Sequence, residues 1–291
     1  MMKMIRPGVP QLLVASICFF HLNALSAQDV GPQNGSLVIV GGGLTAEIVE
    51  RFLELAGGSE AKIVIIPTAI GGDNAEASGR GFARRLAAGG AQNVTVLHTR
   101  DREKANSQAF VMPLLEATGV WFGGGRQWRL VDAYLGTKTE QALQGVLERG
   151  GVIGGTSAGA TIQGSYLVRG DSKTNVIMMG DHEQGFGYLK NTAIDQHVLS
   201  RNRQFDMIEV IRAKPELLGI GLDDDTAIVV QGDEFEVIGR SYVAIYDHET
   251  MGAEGRFYFL APGQRFDLAT RKVKRTAKGD HGEPMERSTG R

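Results

Sequence analysis

Residues 152–160 read VIGGTSAGA, a short apolar run that continues through glycines into a segment of small residues. Within it, Ser157 lies between Gly155 and Gly159 in the pattern G-x-S-x-G. Between a strand and a helix, this pattern forms a sharp turn called a nucleophile elbow, which holds the serine hydroxyl clear of the sheet. The stretch therefore predicts an α/β fold with Ser157 as a candidate nucleophile. The alternative interpretation is a glycine-rich turn in which Ser157 only caps the following helix.

Apolar runs alternate with helical stretches upstream of this segment. The predicted strands are 37–40, 62–67, 94–97 and 119–122, and the predicted helices are 44–55, 74–88, 103–115, 126–135 and 138–149. Strands that alternate with helices predict a mostly parallel central sheet covered on both faces, which is a three-layer sandwich.

Shorter runs follow after about residue 180. They predict a helix at 200–214 and strands at 227–230, 234–238, 242–246 and 256–260. Gly232-Asp233 is a good hairpin turn between two of these strands. We expect C-terminal antiparallel hairpins to complete a single domain at 28–262, followed by a polar, flexible tail at 263–291.

The first 27 residues have the order of a secretory signal peptide. Lys3 and Arg6 precede the apolar run LLVASICFF at 12–20, and small residues follow up to Ala27. Nine apolar residues are fewer than the ~20 that a membrane-spanning helix needs. We therefore expect cleavage after Ala27, no stable membrane insertion, and a secreted or periplasmic protein. The lone cysteine, Cys18, would be removed, which leaves no thiol for a disulfide, a metal site or a nucleophile.

Charge and glycine content limit the function further. The formal net charge of -2 argues against a nucleic-acid partner. Glycines cluster after predicted strands at 41–43, 123–125 and 154–159, where α/β folds bind ligands. The first cluster resembles a dinucleotide fingerprint, but the next strand ends at Pro67-Thr68 without the acid that would hold a ribose. We interpret the three clusters as the rim of one active site that needs no cofactor or metal.

A serine nucleophile needs a base, and a histidine base needs an acid that fixes its tautomer. His197 follows a predicted strand end at 193–196, in the sequence Asp195-Gln196-His197, and is the first choice. His98 is the alternative, whereas His182 and His248 have the character of loop residues. The run GLDDDTA at 221–227 offers three adjacent carboxylates, any of which could face the base.

Taken together, GGTSAGA at 154–160, DQH at 195–197 and GLDDDTA at 221–227 resemble the cyanophycinase family of serine peptidases, over about residues 37–246. That family is related to dipeptidase E, and its fold is like that of class I glutamine amidotransferases, a flavodoxin-like arrangement. Its members cleave cyanophycin, a polyaspartate with arginine on each β-carboxyl, into β-Asp-Arg dipeptides. The resemblance implies Ser157 as nucleophile, His197 as base and Asp224 as acid. It also implies a set of substrate-binding residues: Gln127, Asp195, Gln196, Arg201 and Arg203.

Three positions depart from the family's pattern. Asp224 stands where glutamate is usual, so that Asp223 or Asp225 could substitute for it. Arg126 stands where aspartate or asparagine is common, and Asp206 stands where a further arginine is expected. These changes affect substrate recognition more than the nucleophile. The sequence therefore favours serine-type cleavage of a peptide or isopeptide, with cyanophycin itself as one candidate.

The expected chemistry is hydrolysis through an acyl-enzyme. The oxyanion would be held by the N–H of Ala158 and by that of Gly124 or Gly125. Arginine side chains can bind substrate carboxylates through two parallel hydrogen bonds. Arg126, Arg201 and Arg203 are the candidates for this role.

Other hypotheses remain at this point. One is a non-catalytic binding protein that keeps the fold, and another is an aspartyl dipeptidase like dipeptidase E. An amidotransferase-type amide hydrolase is disfavoured, because those relatives use cysteine at the elbow. The resemblance also suggests a homodimer.

Overall fold

The computed structural model describes residues 29–274, so the predicted signal segment at 1–27 lies outside the described residues. The strands are β1 (Ser36–Val40), β2 (Lys62–Ile66), β3 (Asn93–Val96), β4 (Gly119–Phe122), β5 (Val152–Thr156), β6 (Gly164–Tyr166), β7 (Leu189–Gln196), β8 (Leu218–Leu222), β9 (Thr226–Gln231), β10 (Glu234–Gly239), β11 (Val243–Asp247), β12 (Tyr258–Leu260), β13 (Arg265–Asp267) and β14 (Lys272–Lys274). The helices are α1 (Ala46–Ala56), α2 (Ala75–Ala88), α3 (Arg102–Ala105), α4 (Gln108–Leu115), α5 (Trp128–Tyr134), α6 (Lys138–Glu148), α7 (Ala158–Thr161), α8 (Met207–Ala213) and α9 (His248–Met251).

The larger sheet has nine strands in the order β14-β13-β10-β9-β1-β5-β4-β2-β3. Its centre is parallel, with β5 between β1 and β4, and β2 between β4 and β3. The C-terminal strands β9, β10, β13 and β14 extend it as an antiparallel series from β1. This confirms the prediction of a mostly parallel central sheet with C-terminal antiparallel hairpins.

Both faces of the larger sheet are buried, which explains why its central strands read as continuous apolar runs. On one face, Val38 and Trp121 pack with Ile48 and Phe52 of α1. On the other face, alternate residues such as Ile39 join a core that reaches Ile220 of β8. The alternation follows from the two-residue period of a strand.

A second sheet of five strands, in the order β12-β11-β8-β7-β6, packs on this second face. Strands β6, β7 and β8 are parallel, and β11 and β12 are antiparallel additions. Helix α8 covers its outer face through Met207, Val210 and Ile211. The sequence did not predict this separate sheet. Among the described residues, no helix combines the length and apolar character needed to cross a bilayer.

Two predicted helices are wrong in extent. The helix expected at 103–115 is two helices, because Asp101 caps α3 and the Ser107 side chain accepts the N–H of Phe110 to start α4. The helix expected at 200–214 begins only at α8. The residues before it form turns, because the Asp223 carboxylate accepts the N–H groups of residues 199 and 200.

The predicted boundary at residue 262 is also wrong. Strand β13 pairs with β10, which places Phe266 opposite Phe235 with ring centroids 5.1 Å apart. Phe266 is fully buried, and Leu268 lies in the same core. The chain up to residue 274 therefore belongs to the domain, and the rest of the predicted tail lies outside the described residues.

Candidate active site

The elbow at Ser157 joins β5 to α7. Ser157 has φ 56° and ψ -114°. For any residue other than glycine this conformation is unfavourable in free energy, and it persists only when the surrounding structure fixes it. Its N–H donates to the carbonyl of Val40 at 3.0 Å. A Cβ on Gly155 would lie 2.3 Å from the carbonyl oxygen of Gly159, and one on Gly159 would lie 2.3 Å from that of Phe122. Both glycines of the motif are therefore required by close backbone contact.

The structure brings together Ser157, His197 and Asp224. The Ser157 Oγ lies 3.0 Å from Nε2 of His197, and Nδ1 of the same ring is hydrogen-bonded to Oδ1 of Asp224. Because a carboxylate only accepts, Nδ1 carries the proton and Nε2 is left to accept the serine hydroxyl. His197 follows the end of β7, and Asp224 lies in the turn between β8 and β9.

The environment of His197 favours the neutral ring. Burial lowers the pKa of His197, and it outweighs the hydrogen bond and charge of Asp224, which raise that pKa. The positive charges of Arg201 and Arg203 lower it further. The net pKa of His197 lies below its ordinary value, so the ring is an available proton acceptor at neutral pH.

Gly42, in the first glycine cluster, lies against the acid and the base. It forms a parallel bridge with Asp224, and its carbonyl accepts the N–H of Asp225 at 2.7 Å. A Cβ at this position would lie 2.0 Å from Oδ1 of Asp224 and 2.3 Å from Cε1 of His197. The loop at 41–43, predicted as part of the site rim, thus supports the pair directly.

The two alternative acids have other contacts. Asp223 accepts the N–H groups of Leu199 and Ser200 through Oδ1 and the Ser241 hydroxyl through Oδ2. Asp225 has φ 55° and turns its carboxylate towards the loop at Gly43. Only Asp224, of the three carboxylates, is hydrogen-bonded to His197 within residues 29–274.

The other candidate histidines lie elsewhere. Nδ1 of His98 is 2.8 Å from the Thr68 hydroxyl, and His182 lies between Asp132 and Asp181. His248 begins α9. Of the candidate histidines, His197 is the one whose ring lies against Ser157 within residues 29–274, and its role as general base stays a prediction.

Backbone N–H groups border the serine. A Cβ on Gly124 would lie 3.4 Å from Cβ of Ser157, so this glycine is next to the elbow. Gly125 has φ 139° and packs against the carbonyl of Ala69 instead. Ala158 is the first residue of α7, which has only four residues. Any stabilisation of negative charge here comes from individual N–H groups rather than from a long helix dipole.

Two arginines next to the base have no carboxylate partner among the described residues. Arg201 is exposed, and Arg203 is half-buried, with Nη1 3.4 Å from both Gln196 oxygens. Burial lowers the pKa of Arg203, and so does the neighbouring charge of Arg169, but an arginine remains protonated. Both guanidinium groups remain free to pair with an anionic ligand.

Asp195, for which the resemblance implied a substrate contact, forms a buried ion pair within the protein. Its carboxylate is buried, and both oxygens accept from Arg169, with Nε–Oδ1 2.8 Å and Nη2–Oδ2 2.9 Å. Nη2 of Arg169 also donates to Asp206 at 2.6 Å. Burial alone lowers the pKa of Arg169, but its bonds and ion pairs with the two aspartates outweigh burial and raise it. Sequence reasoning missed Arg169. A buried acid, Asp195 in strand β7, was the signal that a cation had to lie nearby.

Gln127 and Arg126, which were also predicted to contact substrate, have hydrogen bonds to the protein backbone. Gln127 is buried, and its Nε2 donates to the carbonyls of Val168 and Arg169 at 2.8 and 2.9 Å. Nη2 of Arg126 donates at 2.5 Å to the carbonyls of residues 171 and 174. Gln196 is buried next to Arg203. These side chains hold the segment after β6, because its turns leave backbone carbonyls without strand partners.

Comparisons with known proteins agree with this geometry. The sequence pattern of Peptidase family S51 matches residues 36–238. The cyanophycinase of Geminocystis herdmanii is 33% identical over 224 residues, which cover 74% of this chain and 82% of that protein. A Nostoc cyanophycinase is 33% identical over 247 residues, covering 78% and 82%.

Solved structures show the same fold. A peptidase from an acI-B1 actinobacterium superposes with a TM-score of 0.65 at 24% identity, covering 81% of this chain and 98% of that one. A putative peptidase E protein from Listeria monocytogenes superposes with a TM-score of 0.52 at 17% identity, covering 71% and 99%.

Proposed function

This chain belongs to peptidase family S51 and is a serine-type peptidase, and we propose that Ser157 is its nucleophile, His197 its general base and Asp224 the acid that orients the base. The observation that carries this assignment is the contact of 3.0 Å between the Ser157 Oγ and Nε2 of His197, together with the bond from Nδ1 to Asp224. The same three roles in the same geometry occur on unrelated folds.

In the first half of the reaction, Nε2 of His197 takes the hydroxyl proton while the Ser157 Oγ bonds to the substrate carbonyl carbon. The N–H groups of Ala158 and Gly124 donate hydrogen bonds to the carbonyl oxygen as negative charge develops on it. The imidazolium then gives its proton to the leaving nitrogen, and the C–N bond breaks to leave an acyl-enzyme. In the second half, His197 deprotonates a water that attacks the ester, and the proton returns to the departing Ser157 oxygen.

The test of the nucleophile is Ser157→Ala. We expect the variant to fold, to lose hydrolysis, and to lose labelling by a serine-directed fluorophosphonate, while mass spectrometry places the label of the wild-type protein on Ser157. Ser241→Ala is a matched control, because Ser241 is hydrogen-bonded to Asp223 and not to His197. Hydrolysis by Ser157→Ala at the wild-type rate would exclude the assignment, and with it the acyl-enzyme.

For the substrate, we propose a peptide or isopeptide rich in aspartate, with cyanophycin as the leading candidate. Two features support it: curated relatives named cyanophycinase, and the arginines Arg201 and Arg203 next to His197 without carboxylate partners among the described residues. Their guanidinium groups suit the carboxylates of an aspartate backbone. Because Asp195, Gln127 and Arg126 are occupied by protein groups, recognition depends mainly on this pair.

Incubation of the protein with cyanophycin, with α-linked aspartyl peptides and with their asparagine counterparts would test the substrate class by product mass. Release of β-Asp-Arg from the polymer supports cyanophycin. Cleavage confined to short peptides with N-terminal aspartate would instead support the dipeptidase E-like alternative. Arg201→Gln should raise KM for acidic substrates, whereas Arg51→Gln, which removes an exposed helix arginine paired with Glu54, should not.

For localisation, we propose export by the N-terminal segment, with the mature protein beginning at Gln28. The basic residues, the apolar run at 12–20 and the small residues up to Ala27 support it. N-terminal sequencing of the protein from the periplasm or culture medium should give Gln28 first. Full-length protein found only in the cytoplasm would refute this proposal and leave the peptidase assignment untouched.

A further inference from the structure

We propose that Arg169 is a positioning residue for the peptidase site. Its side chain holds the strand end before His197, and its backbone, through Gln127, holds the loop that carries Gly124. This inference rests on the proposed function, because it concerns the alignment of the groups assigned there. Arg169 lies 28 residues before His197 in the chain. Its hydrogen bonds within the described residues go to other groups than the nucleophile, base and acid.

The guanidinium of Arg169 reaches three separate segments. Nε and Nη2 form a two-point fork on Asp195, which is two residues before His197. Nη2 also donates to Asp206 at the start of α8. Nη1 donates to the carbonyl of Asn175 at 3.0 Å and lies 3.5 Å from that of Val176. An arginine has five N–H donors in a fixed plane, so this arrangement uses the whole group and fixes its neighbours relative to one another.

The backbone of Arg169 makes the second connection. Its carbonyl and that of Val168 both accept from Nε2 of Gln127, at 2.9 and 2.8 Å. Gln127 immediately precedes α5 and comes three residues after Gly124, which is next to Ser157. One residue thus links the end of β7, where the base is located, to the loop that offers an oxyanion donor.

Two further features indicate that this position is fixed by more than packing. Arg169 is 1% exposed. Arginine is almost never fully buried unless it is paired, and here the two aspartates provide that pairing. Arg169 also has φ 54°, a strained conformation for a residue with a side chain, which its neighbours must hold in place. Among the described residues other than glycine, positive φ is also found at Ser157 and His197, and at four further positions: Asn191, Asn202, Asp225 and Arg271.

Arg169→Lys tests the inference, because lysine keeps the charge and loses the planar fork. We expect kcat to fall by about 10- to 100-fold, since misplacement by ~1 Å has effects of this size, while KM changes little. The rate of fluorophosphonate labelling at Ser157, which needs no bound peptide, should fall in parallel. Arg149→Lys is the matched control. Arg149 also donates to backbone carbonyls, those of Leu114 and Ala117, but it lies outside the site. It should lose thermal stability without losing kcat.

A second variant separates positioning from folding. Arg169→Met with Asp195→Leu removes the buried charges together, an exchange that is often neutral or stabilising, and should give a folded protein with the same loss of kcat. A readout independent of turnover is the downfield Nδ1–H proton of His197 in NMR spectra, which should broaden or shift in Arg169→Lys and remain in Arg149→Lys. A folded Arg169→Lys with wild-type kcat, labelling rate and Nδ1–H signal would overturn the inference. Failure of the proposed function would appear differently, as a wild-type protein with no labelling at Ser157.

Discussion

Substitution of Gly42 by alanine should disable the site, although residue 42 carries no chemical group for the reaction. A Cβ there would lie 2.0 Å from Oδ1 of Asp224, and 2.3 and 2.4 Å from Cε1 and Nδ1 of His197. Real Cβ contacts essentially never fall below 3.0 Å, so the carboxylate must move by at least 1.0 Å, the difference between 3.0 and 2.0 Å. The Asp224 side chain is 43% exposed and free to move outward, which would break its bond to Nδ1.

The magnitude follows from that displacement. Misplacement of a catalytic group by ~1 Å costs about 100-fold in rate, or about 2.7 kcal/mol in the activation barrier. We therefore expect Gly42→Ala to lower kcat by about 100-fold. KM should change little, because the three atoms nearest the new methyl group belong to Asp224 and His197 and not to the proposed substrate-binding arginines. Steady-state kinetics on a substrate that the wild-type protein hydrolyses, together with fluorophosphonate labelling rates, would measure the loss.

Gly81→Ala is the control for the effect of alanine itself. Gly81 lies within α2, and the nearest atom to its added Cβ is Nη2 of Arg84 at 3.9 Å, so the methyl group meets open space. This variant should keep its kcat and gain about 0.5–1 kcal/mol of stability from the better helix propensity of alanine. If Gly42→Ala folds and keeps kcat within about twofold of wild type, the view that residue 42 holds the acid and base in place is wrong.

Four further outcomes are expected. Asp224→Asn should lower kcat by about 10⁴-fold, because an amide can stabilise the wrong tautomer of His197. Single-turnover kinetics would show the loss in the chemical step, and a loss of less than about tenfold would exclude Asp224 as the orienting acid. The pH profile of kcat/KM should rise through a pKa below the ordinary histidine value of about 6.5, since only neutral His197 accepts a proton. Arg201→Gln removes a positive charge that lowers this pKa, so the acid limb of the profile should move to higher pH, and a move to lower pH would contradict the assignment. Phe266→Ala should cost about 3–5 kcal/mol of unfolding free energy in urea titrations, because Phe266 is fully buried against Phe235, and a neutral result would show that the chain after residue 262 is not part of the core.

The central strands could be predicted because a strand buried on both faces has a continuous run of apolar residues in its sequence. Strands β1, β2 and β5 are of this kind, and the G-x-S-x-G turn after β5 has glycines that only close backbone contact explains. Local pattern does not record which strands share a sheet. The five-stranded sheet was therefore missed, although one of its strands, β11, was predicted nearly correctly at 242–246. The strands predicted at 227–230 and 234–238 are β9 and β10 of the nine-stranded sheet.

The end of the domain was missed for a related reason. Strands β13 and β14 read RFD and KVK, with one apolar side chain each among charges, and such composition is also typical of a solvated tail. Their place in the sheet depends on pairing with β10, some 30 residues away in the chain. This pairing cannot be seen in either segment alone.

In the site, residue types and order identified Ser157 and His197, but not the choice among three adjacent carboxylates. Asp223, Asp224 and Asp225 differ only in where the turn after β8 directs them, and the bridge from Gly42 sets that direction. Arg169 gave no signal of its own, since its partners lie 26 and 37 residues later in the sequence. Buried ion pairs between distant segments are properties of the tertiary structure.

The three assigned residues come from both sheets. Ser157 follows β5 of the nine-stranded sheet, whereas His197 and Asp224 follow β7 and β8 of the five-stranded sheet. Neither sheet alone contains the triad, so a partly folded chain with one sheet formed has an inert serine. During refolding, reaction of Ser157 with a fluorophosphonate would therefore report the docking of the two sheets, later than any signal from secondary structure. The reactivity of Ser157 is thus a measure of completed folding that needs no added label in the chain.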